Sequence, residues 1–127
     1  MNYKEIENKL KQINIEDKIW IIYLGIIFLS YYSNYLEKNY YLYNDNSFKE
    51  SYRKIIIFIF SILVIVYFYF LKSSIDDINN LKPNDSKKKK NLIYLSFIAS
   101  LLITISGLIF LYIALTDEDI NVELAFN

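Results

Sequence analysis

Hydrophobic and polar positions separate along this chain into three uncharged apolar runs divided by charged intervals. The runs are residues 19–36 (IWIIYLGIIFLSYYSNYL), 55–71 (IIIFIFSILVIVYFYFL) and 92–115 (LIYLSFIASLLITISGLIFLYIAL). A hydrocarbon core about 30 Å thick takes roughly 17–25 helical residues. Each run fits that window. Three such runs in 127 residues leave too little polar chain to cover them as buried helices of a soluble protein. The pattern therefore predicts one domain of the all-α class, a membrane protein with three transmembrane helices. Eighteen residues carrying four lysines and four acids precede the first run. No small-residue cleavage site follows it, so it reads as a retained span and not a signal peptide.

The polar intervals carry helix signals of their own. Residues 1–18 place Tyr3, Ile6, Leu10 and Ile13 at helical spacing with charges between them. That predicts a short amphipathic N-terminal cytosolic helix. It either lies in the headgroup plane or, as we favour, packs on a matching stripe of Leu71, Ile75, Ile78 and Leu81. Asn14 with Asp17 reads as the start of the first spanning helix. Ser47-Phe48-Lys49-Glu50 has the form of a capping box and predicts a second helix from near Phe48, with residues 43–47 as the turn. Pro83 ends that helix, and Asp85 or Ser86 caps the third.

Charge changes the picture by giving it a direction. Lysine and arginine number four in the N-terminal segment, four between the first two runs and six between the second and third, with none in the tail. The positive-inside rule then puts the N-terminus and the basic interval 72–91 in the cytosol and the acidic tail, residues 116–127, outside. In a bacterium the membrane would be the cell membrane. Aromatic rings fall near the span ends, with Trp20, Tyr23, Tyr67, Tyr69 and Tyr94 toward the inner interface. Tyr31, Tyr32, Tyr35, Tyr52 and Tyr112 fall toward the outer one.

Four of the lysines stand together, Lys87, Lys88, Lys89 and Lys90, although the whole chain has a net charge of zero. With a single arginine and no binding fold, a nucleic-acid patch is not expected. A juxtamembrane lysine run fits anionic headgroups and fixes the topology of the third span. Within that span Ser96, Ser100, Gly107 and Ala114 share one face, with Ile103 in the row. Small residues let helix backbones approach closely. The face is expected to pack on the other two spans; the alternatives are a homo-oligomer interface or a pore lining.

Composition removes most chemistry. The chain has no cysteine and no histidine, hence no disulfide, thiol or imidazole catalysis and no usual zinc site. Both glycines, Gly25 and Gly107, lie inside spans, which excludes a phosphate-binding loop. No ionisable residue sits within a span, unlike ion-coupled carriers and proton channels. The tail acids lack the calcium-loop spacing. No cofactor, metal or catalytic residue is expected. The tail also alternates Ile120, Val122, Leu124 and Phe126 with mostly polar neighbours, which suggests that it docks on its own chain or on a partner. The function expected is that of a small non-enzymatic accessory subunit acting through protein partners. A self-assembling holin-like pore and a small membrane immunity protein are the alternatives.

Overall fold

The computed structural model describes residues 2–124. Among them the chain forms three helices and no strand: α1 (Tyr3–Tyr43), α2 (Asn46–Asn79) and α3 (Lys87–Thr116). All three are long and apolar enough to cross a membrane. At about 1.5 Å per residue α1 is about 60 Å long, twice a hydrocarbon core.

The separate N-terminal helix expected from the sequence is absent. Residues 3–18 continue without a break into the first apolar run as part of α1. Asn14 is interior to the helix. The cap is Asn2, whose side chain accepts from the Glu5 N–H at 2.9 Å while the Glu5 carboxylate accepts from the Asn2 N–H at 3.4 Å. A capping box satisfies the first orphan donors as well here as Asn14 would have done, and nothing between breaks the helix. The expected packing of the stripe is also corrected. Tyr3, Ile6, Leu10 and Ile13 are all exposed, and the residues facing α2 are Asn8, Lys11, Gln12 and Ile15.

At the far end Asn44 adopts the left-handed conformation (φ 50°) that closes a helix, its N–H donating to the Tyr40 carbonyl at 2.8 Å. Asp45 then caps α2 by accepting from the Ser47 N–H at 2.9 Å. The second helix thus starts at Asn46, two residues before the expected Phe48, because Asp45 supplies the cap in place of Ser47. Ser86 caps α3, accepting from the Lys89 N–H at 3.1 Å.

The middle helix, α2, packs against both neighbours, while α1 and α3 make no close backbone approach to each other among the described residues. The α3 seam is Ile93, Phe97, Ser100, Thr104, Gly107, Leu111 and Ala114, every one buried or half-buried. The α1 seam is Gln12, Glu16, Ile19, Tyr23, Ile26, Ser30, Ser33, Glu37 and Tyr40, with the same property. Both step by alternating threes and fours, the heptad rhythm of left-handed helix packing. On α2, Phe60, Val64, Tyr67 and Ser74 form one row toward α3. Tyr52, Ile56, Ile59 and Leu63 form another, buried in one cluster with Ile26 and Leu36 of α1. Tyr23, Tyr52 and Tyr67, read from the sequence as interfacial rings, are packing residues instead, because these seams bury them.

Candidate functional site

The two ends of the helix layer differ. At the end carrying the tail, the apolar runs finish level with one another. Tyr52 of α2 hydrogen-bonds the Glu37 carboxylate just past the first run. Arg53 Nε donates to the Asp117 carbonyl at 3.0 Å just past the third. The tail folds back over this end. The Asp117 carboxylate accepts from the Asn121 N–H (3.0 Å), Asn121 Nδ2 (3.1 Å) and the Val122 N–H (2.9 Å). Lys49 Nζ reaches Asp119 Oδ1 at 3.2 Å. Ile120 takes a left-handed φ of 52°, costly for a β-branched residue. Leu124 is buried among Tyr52, Ile56 and Ala114. The tail is therefore a hydrogen-bonded turn on its own chain and not a strand; Phe126 lies outside the described residues.

The electrostatics of this end follow from the fold. Burial raises the Glu37 pKa, and the nearby Glu123 adds to the rise against the Tyr52 hydrogen bond. Burial pushes Asp117 up as well, but the amide donors from Asn121, Val122 and Asp119 outweigh it and the pKa is lowered.

At the other end, the lysine end, the apolar runs are staggered. Ser74 Oγ lies 2.9 Å from Ser100 Oγ. Yet Ser74 is three residues past the apolar run of α2, and Ser100 is eight residues inside that of α3. By this register the third run extends about 15 Å beyond the second. Leu92, Tyr94, Leu95 and Ile98 stand exposed there, alongside the polar end of α2.

The small-residue face divides along the same axis. Gly107 is buried under the Tyr67 ring, where an added Cβ would meet Cδ2 at 2.8 Å and Cε2 at 3.0 Å. Ala114 is buried at the tail end. Ser100 is half-buried in its contact with Ser74, while Ser96 is exposed. Thr104, missed by the small-residue reading, is buried between Gly107 and Ser100, giving its hydroxyl to the Ser100 carbonyl at 2.7 Å with the Tyr67 carbonyl at 3.4 Å. The heptad rhythm is the sequence signal that includes it.

Of the four lysines, two are drawn back to the loop before them. Lys89 Nζ reaches Asp85 Oδ1 at 3.2 Å, and Lys90 Nζ donates to the Pro83 carbonyl at 3.2 Å. The Asp85 carboxylate is held below its usual range, first by the Lys82 N–H at 2.7 Å and then by Lys89. Lys87 and Lys88 are exposed. All four occupy the first turn of α3, where the helix dipole disfavours positive charge. Helix stability therefore does not account for their placement.

Between α1 and α3, over α2, a groove of about 380 Å³ opens at the lysine end. Tyr23, Tyr67 and Phe70 form its floor; Ser73, Ser74 and Asp77 of α2 and Ser96, Ser100 and Ile103 of α3 form its sides. It unites Ser96 and Ser100, which the sequence singled out, with Asp77 and Ser74, which the sequence does not connect to them. No group of three or more potential metal ligands occurs among the described residues. No known protein family, curated protein or solved structure matches the chain.

Proposed function

We propose that this chain is a multi-pass membrane protein, with its lysine end in the cytosol, that has no catalytic role and works as an accessory subunit docking a protein partner just beyond the inner face. The orientation rests on ten basic residues at the lysine end against four at the tail end. The observation that carries the docking role is the N-terminal part of α1. It leaves the first apolar run as unbroken helix for a further sixteen residues, about 24 Å. It turns Asn8, Lys11 and Gln12, with Ile15, toward α2 and keeps Ile6, Leu10 and Ile13 exposed. An apolar stripe held off its own chain on a helix long enough to leave the headgroup layer fits the helix-in-groove mode of recognition. The exposed Leu92 and Leu95 add apolar surface at the same end.

The pore reading is the less favoured one, since Thr104, Gly107 and Ala114 of the small face are turned against α2.

Photo-crosslinking tests the proposal. A crosslinker at Leu10 should give one defined protein adduct in cells, and the same group at Lys9, off the stripe, should not. Leu10→Glu should abolish co-purification of that protein. Equal adducts from both positions, or adducts to lipid alone, would refute the docking role.

A further inference from the structure

The groove between α1 and α3 matches, in depth and chemistry, a phospholipid seen along its length, and we infer that it binds one whose headgroup carries a primary amine. The inference rests on the membrane reading above and is independent of any protein partner.

Depth comes from the level tail end. A core of about 30 Å spans about twenty helical residues. Counted from Ile55, it ends near Ser74, whose hydroxyl meets Ser100 of α3. The groove straddles that boundary. Phe70, Tyr67 and Ile103 lie on the hydrocarbon side. The hydroxyls of Ser73, Ser74 and Ser100 lie at the edge, and Asp77 and Ser96 lie about 4–6 Å beyond it. This order of apolar wall, hydroxyl donors and then charge follows acyl chain, glycerol esters and headgroup. A volume of about 380 Å³ falls within the range of small-molecule sites. The chain itself does not close the groove, because α1 and α3 do not approach. Lipid is the molecule present at that depth in any bilayer.

Charge selects the headgroup. Asp77 is the one ionisable carboxylate among the lining residues. At the wet edge of the membrane it favours a cation and repels a net anion. A primary ammonium donates charge-assisted hydrogen bonds to a carboxylate, whereas a quaternary ammonium has no hydrogen to give. Phosphatidylethanolamine is therefore preferred over phosphatidylcholine and over phosphatidylglycerol. The lysines at 87–90 stand about two turns farther along α3, outside the lining, and attract anionic lipid without selecting for the groove.

The test uses the full chain, reconstituted in bilayers of equimolar phosphatidylethanolamine, phosphatidylcholine and phosphatidylglycerol, then extracted gently for native mass spectrometry. Retained phosphatidylethanolamine should exceed phosphatidylcholine by about tenfold, the weight of one charge-assisted hydrogen bond at a wet site. Asp77→Asn should make the two equal. Ser96→Trp, which fills the groove from an exposed position, should remove retained lipid of both kinds. Helicity and thermal unfolding of both variants check that they fold. Equal retention by the unaltered chain, a preference that survives Asp77→Asn, or phosphatidylglycerol as the favoured lipid would each overturn the inference. Recovery of the chain without detergent, in the soluble fraction, would instead overturn the membrane reading itself.

Discussion

The two glycines make a matched pair of perturbations. A Cβ at Gly25 meets nothing within 4 Å, whereas at Gly107 it meets the Tyr67 ring at 2.8 and 3.0 Å and Val64 Cγ2 at 3.5 Å. Glycine to alanine in a helix interior gains about 1 kcal/mol of propensity at either position. At Gly107 the added methyl must displace a half-buried ring whose backbone carbonyl already lies 3.4 Å from Thr104 Oγ1. Overpacking of that kind costs about 1–3 kcal/mol. Gly25→Ala should therefore be neutral or stabilising by up to about 1 kcal/mol. Gly107→Ala should be destabilising by up to about 2 kcal/mol, a difference of roughly 1–3 kcal/mol. Titration from mild micelles into dodecyl sulfate, followed by loss of α2–α3 association, measures both. Tyr67→Leu should rescue Gly107→Ala, since it removes the ring that clashes. A Gly107→Ala variant as stable as Gly25→Ala would refute the α2–α3 packing described here.

The remaining expectations probe other contacts. In this cysteine-free chain Ser74→Cys with Ser100→Cys should oxidise to an intramolecular disulfide, seen as a gel shift reversed by reductant, because the two hydroxyls are 2.9 Å apart; Ser74→Cys with Ala114→Cys should not. Ser30 Oγ is buried without a hydrogen-bond partner among the described residues, so Ser30→Ala should be neutral or stabilise by about 1 kcal/mol in the same titration. Leu124→Ala should free the tail to proteolysis at a cost of about 2 kcal/mol, the low end for a buried leucine. The tail should also respond to acid in two steps. Glu37 has a folded pKa above its ordinary value, so its penalty is present at neutral pH and is relieved as pH falls through the folded pKa toward 4.5. Asp117 has a lowered pKa, so its contribution persists above about 3.8 and is lost as pH falls through its folded value. Thermal unfolding should thus rise slightly on mild acidification and fall at strong acid, and Glu37→Gln should remove the rise.

The sequence by itself determined the class of structure: three uncharged runs of spanning length, an asymmetry of basic residues, and no cysteine or histidine. Those properties are sums over residues, and neighbours in space do not alter them. It also marked the Ser86 cap, which depends on local chemistry, whereas α2, expected to continue through Leu81 to Pro83, ends earlier, at Asn79. What it did not mark is which side of each helix meets another. In the apolar runs nearly every position is hydrophobic, so the contrast that reveals a buried face in a soluble helix is missing. The seams are written instead in small and hydroxyl residues at heptad spacing, as in Ser100, Thr104, Gly107 and Ala114. The charged ends misled for the opposite reason. Tyr3, Ile6, Leu10 and Ile13 have the spacing of a packed face, but continuity of α1 fixes their direction, and the phase set by Ile19 and Ile26 turns them away from α2. The stagger of the third helix, and the lining of one groove by Asp77 and Ser96, nineteen positions apart, depend on register between helices. Only the tertiary structure decided that, because register is set by how Tyr67 fits over Gly107 and Ser74 against Ser100, contacts that no single stretch of the chain contains.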